Sequence, residues 1–177
     1  MAAIESILGN SRYSTVDQLL ESFHTSASNA DLTKYFGCFD KAGRFLGTDA
    51  TENWDAIEFY KFCKPHFAKG SGWTYVPVAG SRKVTHFTSA DGTPNFCTFD
   101  EILFNDSFGT CRGSGSLIFN QSTSSWLVAA YHLSFPVPND IAGEVTATLK
   151  AADPSLKSKL ADQAAAQLLA ELELEDA

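Results

Sequence analysis

An α+β fold, with helices first and one antiparallel sheet after them, is what the order of patterns in this chain predicts. Three observations carry the prediction. Apolar residues recur at helical spacing through about residue 70 of the 177, the period changes to strand-like alternation from Gly72 onward, and turn residues punctuate that second stretch at short intervals.

The elements follow in order. Ser14 with Asp17 three residues on reads as a helix start, and Val16, Leu19, Leu20 and Phe23 keep helical spacing to about residue 28. Asn29 or Asp31 can cap a short second helix with the stripe Leu32, Tyr35, Phe36 and Phe39. GRFLGTD reads as a brief strand ending in a turn. Thr51 or Asn53 then caps a third helix carrying Trp54, Ile57, Phe59, Phe62, Cys63 and Phe67, which Pro65 should kink and Gly70 should end. WTYVPVAG, KVTHFTSA, NFCTFDEILFN, GTCRGSGSLIFN and SSWLVAAYHLSFPV, parted by turns such as SADGTPN and NDSFGT, supply four or five antiparallel strands. Pro136 and Pro138 end the last strand and Asp140 starts a further helix. Asp153 with Pro154 caps a final one, whose Leu156, Leu160, Ala164, Leu168 and Leu172 lie at four-residue spacing.

Composition narrows the function classes. Hydrophobic residues are 44% of the chain and fourteen are Phe, enough for an aromatic-rich core in one domain with an extension. Thirteen Lys and Arg against 21 Asp and Glu give a formal charge of -8, and the longest basic cluster is SRK at 81–83, so no nucleic-acid partner is expected. Cys38, Cys63, Cys97 and Cys111 have no CxxC or zinc-finger spacing and read as buried free thiols. No metal is expected, because no His, Asp and Glu cluster at ligand spacing. No segment approaches a membrane span or a leader peptide, and the expected location is cytoplasmic.

The strings RFLGTDATENWD, KPHFAKGSGWTYVP, FDEILFN, GTCRGSG and YHLSFPVPND, in this order between Val16 and Ala142, resemble the SnoaL-like branch of the nuclear-transport-factor-like superfamily. The resemblance implies a cone in which helices close over a strongly curved sheet and leave an internal pocket. It also implies a homodimer built through the outer face of that sheet and no bound cofactor. The cone domain should span residues 14–142 and a helical tail residues 143–177. Cofactor-free isomerases, cyclases and dehydratases, transport adaptors and kinase assembly domains share the fold, so it does not select a role. No catalytic dyad of the isomerase or cyclase type matches residue by residue.

The candidate chemistry lies on the strands. In GTCRGSGSLIF, which continues as a strand and therefore is no phosphate loop, alternation puts Thr110, Arg112, Ser114 and Ser116 on one face and Cys111, Gly113, Gly115 and Leu117 on the other. The glycines suit a bent strand. Arg112 is a structural ion-pair partner, an anion-steering pocket group or an exposed side chain. Of Asp100 and Glu101 on the neighbouring strand only one can share its side. Alternation groups Trp126, Val128, Ala130, His132 and Ser134 on one face, with Tyr131 opposite. His132 can serve as a general base or orient one, or be a hydrogen-bonded core histidine. His24, His66 and His86 sit on separate elements and read as structural or exposed. Asp49, Glu52 and Asp55 read as helix-start acids. Tyr35 can present its hydroxyl to a cavity, and Trp54 and Trp73 read as core or pocket wall.

The expected function is that of a small-molecule pocket protein taking a small hydrophobic or anionic ligand. Its chemistry would be proton transfer beside a carbonyl, with His132, Asp100 or Glu101 as base, Arg112 or Tyr131 polarising the oxygen, and Ser114, Tyr35 and Trp73 lining the site. The alternative is a non-catalytic dimerisation or adaptor module that holds a protein partner through the C-terminal helix.

Overall fold

A computed structural model describes residues 2–152, and the chain divides into two compact units after Pro136. The first unit runs α1 (Ala2–Glu5), α2 (Val16–Ser28), α3 (Leu32–Gly37), β1 (Phe39–Leu46), β2 (Asn53–Asp55), α4 (Ala56–Phe67), β3 (Val76–Pro77), β4 (Lys83–Thr88), β5 (Pro94–Asn105), β6 (Gly109–Asn120) and β7 (Ser125–Ser134). The second holds α5 (Ala142–Ala152), which has no buried residue. The tail helix expected around Leu156 to Leu172 lies outside the described residues.

Local chemistry sets the helix ends. Thr15, one residue later than expected, caps α2 by accepting from the Gln18 N–H, and Asp31 caps α3 through the Lys34 N–H. For α4 the expected caps give way to Asp55. Its carboxylate accepts from Ile57 and Glu58 N–H while Glu58 reaches back to the Asp55 N–H, so Asn53 is free to pair as β2. Pro65 falls in the last turn of α4 and the helix continues to Phe67, after which Gly70 at φ +70° stops it.

Seven strands form one curved sheet in the order β2-β1-β7-β6-β5-β3, with β4 also on β5. The expected antiparallel sheet is mixed. β1 lies parallel to β7, because the chain leaves β1 through α4 and the β4–β7 meander before its last strand returns alongside. α2, α3 and α4 cover the inner face, where Leu19, Leu20, Phe23, Phe36, Phe39, Phe59, Leu117 and Val128 build the core. Phe45 stacks on Phe59 with ring centroids 4.0 Å apart, and Phe23 lies 4.6 Å from both Tyr35 and Tyr131. All four thiols are free and buried, and burial pushes Cys38 and Cys97 up to about 11.

Register decides which residues face inward. On β7 strict alternation fails, because Ser116 pairs with Ala130 and Leu117 with Val128, leaving Ala129 as an inserted residue. Trp126 and Val128 therefore share the inner face with Tyr131, and only Ala130, His132 and Ser134 keep the outer face. The β6 glycines serve close approach as well as bending. A Cβ on Gly115 would run into the Ala130 carbonyl at this bulge, and one on Gly113 into the Tyr131 hydroxyl. Gly115→Ala should therefore cost about 2 kcal/mol and lower Tm by about 4–8 °C in a thermal melt. Gly143→Ala, with open space around its Cβ, should leave Tm unchanged.

Candidate functional site

Two rows across the inner face make the floor of the site. Glu101, Gly113 and Leu133 lie side by side, and Phe99, Gly115, Tyr131 and Phe45 form the next row. The Tyr131 phenol lies over Gly113, where only a missing side chain leaves room, and this brings its hydroxyl toward Glu101. From the opposite side α2 presents Leu20, Phe23, His24 and Ala27, one buried helical stripe. His24 replaces what would otherwise be an apolar residue of that stripe.

Glu101 is fully buried and carries the local charge. His24 Nε2–H donates to its Oε1 at 2.6 Å, and Arg82, just before β4, donates Nε–H to its Oε2 at 2.8 Å with Nη2 in ion-pair contact at 2.7 Å. Arg82 Nη1–H reaches the exposed Asp17 at 2.7 Å. Burial alone pushes the Glu101 carboxyl up, but the hydrogen bond from His24 and the Arg82 guanidinium outweigh it and hold the group below its ordinary value. Burial likewise works against the Arg82 cation, and Asp17 and Glu101 more than offset it. Both carboxylate oxygens are taken, so Glu101 orients the imidazole and leaves His24 Nδ1 as the uncommitted atom.

Around this triad the cone is nearly filled. A cavity of about 20 Å³, room for a single water, is lined by Phe23, His24, Tyr35, Trp73, Tyr131 and Leu133 among others. Burial pushes the Tyr35 and Tyr131 phenols well up, so both stay protonated hydrogen-bond donors. The Tyr35 hydroxyl is fully buried and makes no hydrogen bond of ordinary geometry, although the Trp73 indole is near enough to bear on its acidity. Phe45, Trp73, Tyr75 and Leu133 line both this cavity and an adjoining cleft of about 170 Å³. On its other side His24 lines a groove of about 340 Å³ with Glu21, Thr25 and Arg82. A larger groove of about 500 Å³ runs past Arg12, Gln18 and Lys34, but no buried ionisable group faces it.

Among the residues singled out in the sequence, Glu101, Tyr131, Tyr35 and Trp73 come together here. Asp100, Ser114 and His132 form a single row on the outer face, with Arg112 one row away, and Asp100, Arg112 and His132 are exposed. The inserted Ala129 and strand parity turn them away from the cavity. His24 and Arg82 were missed as site residues. His24 stood on an apolar helical stripe, which was the available signal, whereas nothing local marks Arg82 beyond its place in SRK. His86 packs edge-on against Trp126 at 5.6 Å and His66 lies exposed beside Phe62. Among the described residues no group of three metal-ligating side chains occurs.

Comparison with known proteins agrees with this architecture. The profile of the SnoaL-like domain family matches residues 16–138. No curated protein sequence matches the chain. Among solved structures, an NTF2-like protein of unknown function from Pseudomonas putida superposes with a TM-score of 0.53 at 11% identity, covering 71% of this chain and 87% of its own. The association domain of CaMKII from C. elegans gives 0.52 at 15% identity over 68% and 92% of the two chains. A putative scytalone dehydratase from Novosphingobium aromaticivorans gives 0.52 at 5% identity over 69% and 82%. At such identities the likeness establishes the fold.

Glu101→Gln should lower stability by about 3 kcal/mol or more at neutral pH, since it leaves the buried His24 and the partly buried Arg82 cation facing a neutral group. A carboxyl held low in the folded state contributes above the unfolded value, about 4.3, and loses the contribution as pH falls through the folded value. Urea denaturation across pH should therefore show the gap between the two proteins closing below about pH 4.

Proposed function

The chain belongs to the SnoaL-like domain family, and from that membership we propose that it is a small-molecule pocket protein working as a cofactor-independent proton-transfer enzyme of isomerase or dehydratase type. Its fold neighbours include a putative dehydratase and an association domain, so fold alone does not choose. The observation that carries the choice is the His24–Glu101 pair set against a cavity that also holds the unpartnered Tyr35 hydroxyl. A buried carboxylate and an orphaned phenol both cost stability, and a working site is the natural reason to keep them together.

The chemistry follows from the atoms. A small carbonyl compound enters through the 170 Å³ cleft, which is below the ~300–1,000 Å³ of ordinary ligand pockets and so selects a compact molecule, and its carbonyl end reaches His24, Tyr35 and Tyr131 by widening the adjoining 20 Å³ cavity that they line. His24 Nδ1 takes a proton from the carbon beside the carbonyl while Glu101 stabilises the imidazolium through Nε2–H. The C–H electron pair moves onto the oxygen, where the Tyr35 and Tyr131 phenols donate hydrogen bonds to the enolate. The imidazolium then returns the proton at a second carbon, which completes an isomerisation, or to a departing hydroxyl, which completes a dehydration.

The outer face favours a second role, that of a homodimer surface. Thr85, Thr98, Ser116 and Ala130 form a band of small side chains across four strands, beside the exposed Phe87. Arg112, Asp100, Ser114 and His132 lie on that face and are proposed as contacts there, not as groups of the pocket. The C-terminal helix as a contact for a protein partner, the domain limits of residues 14–142 and 143–177, and a cytoplasmic setting belong to the same proposal. Among the described residues no helix is long and apolar enough to cross a membrane.

Exchange of α-protons in D2O, followed by proton NMR on a panel of compact aryl and cyclic ketones, tests the chemistry. The protein should exchange at least one member, His24→Gln should lose about 100-fold or more of that rate, and Tyr131→Phe about tenfold or more. Exchange that survives His24→Gln unchanged overturns the assignment of the base. For the dimer, native mass spectrometry should show two copies for the wild type and one for Ser116→Arg.

A further inference from the structure

The mouth of the cone carries a charge that the proton-transfer site does not use. Glu52 lines the 170 Å³ cleft together with Phe45, Trp54, Phe62, Trp73 and Tyr75. It is half-buried, and its carboxylate folds over the β1–β2 turn where Gly47 leaves the space, a Cβ there running into Oε2. Oε2 accepts the Asp49 N–H at 3.2 Å, which fixes the group in place. Glu52 has no ion-pair partner among the described residues, although its negative field reaches Tyr75 and helps to push that phenol up, after burial.

An anchored, unpaired carboxylate beside aromatic rings is the recognition chemistry of an organic cation. Trp54 and Phe62 stack at 4.8 Å and 21°, and Trp73 and Tyr75 also line the cleft. Indole and phenol rings attract a cation through their quadrupoles, and most strongly when water is excluded. A bulky alkylammonium can leave its water for such a cleft because its charge is spread over methyl groups. The carboxylate supplies the counter-charge that a purely aromatic pocket lacks. An anionic ligand would meet Glu52 at the entrance and be repelled. The chain's net charge of -8 adds a long-range field of the same sign.

We propose that the cleft binds a small free organic cation, a tertiary or quaternary ammonium compound, with Glu52 as counter-ion and Trp54 and Trp73 as the aromatic walls. The proposal rests on the reading of the cone as a small-molecule pocket and adds the charge of the molecule that enters it. It revises the expectation of an anionic ligand. The apolar or carbonyl end of such a compound would point toward Tyr35 and His24, and its ammonium end would stay at the mouth.

The test titrates the protein with choline and with its neutral carbon isostere 3,3-dimethylbutan-1-ol at fixed ionic strength, reading the indole N–H resonances by NMR. Choline should move the Trp54 and Trp73 signals and leave Trp126 still, and should bind about tenfold or more tighter than the isostere. Glu52→Gln should abolish that preference while the isostere binds as before, and Trp54→Leu should weaken choline selectively. Equal affinity for the two probes overturns the cation assignment and keeps the pocket. No response of either indole to either probe overturns the pocket reading itself. Phosphatidylcholine vesicles distinguish a free cation from a lipid headgroup. Co-sedimentation that Glu52→Gln abolishes would transfer the ligand to a membrane and overturn the free-molecule assignment.

Discussion

The buried carboxylate of Glu101, held between His24 and Arg82, is the constraint on which the arrangement of this cone depends. A carboxylate with no exposure at all must be matched by charge and hydrogen bonds or it forces the chain to reorganise. The groups that match it come from far apart in sequence: His24 is 77 residues away on α2, and Arg82 is 19 residues away at the start of the strand that edges β5. The triad thereby ties the first long helix to the middle of the sheet and closes one side of the interior. Apolar packing could have done this with less electrostatic cost. What packing could not supply is an imidazole locked by one nitrogen with its other nitrogen uncommitted.

The rest of the interior is arranged around that lock. Gly113 gives up its side chain so that the Tyr131 phenol can lie across β6 toward Glu101, and the rings of Phe23, Phe45 and Phe59 fill the space that would otherwise be open. The cone is therefore lined rather than hollow, with room for one water beneath and a compact ligand at the mouth. Two protonated phenols and one oriented imidazole share an aromatic-walled interior, where a hydrogen bond is stronger than in water. At the lip the polarity reverses. Glu52 puts a negative charge on the lining of the 170 Å³ cleft.

Much of this was legible in the amino-acid order. The helix stripes, the switch to alternation at Gly72, the paired faces of GTCRGSGSLIF and the family resemblance all describe the cone that forms. Within the site, Glu101, Tyr131, Tyr35 and Trp73 were already candidates, Glu101 as a carboxylate on the strand beside Arg112, Tyr131 and Tyr35 for their hydroxyls and Trp73 as a pocket-wall ring. The outward placement of His132 was not legible, because alternation on β7 holds only until Ala129 is inserted, and a bulge depends on the partner strand. The parallel pairing of β1 with β7 was hidden for the same reason. The role of His24 was hidden because a lone histidine on a helical stripe has no partner until the helix is laid on the sheet.

The sequence by itself determined the class of fold, the order of its elements and the aromatic, thiol-containing core, because these rest on periodicity, caps and composition, which are local. Only the tertiary structure decided which polar groups meet. Partner choice across 77 residues, the parity of a bulged strand and the space left over a glycine are properties of register and packing. Those are fixed when the chain closes on itself, so they place His24 rather than His132 against Glu101.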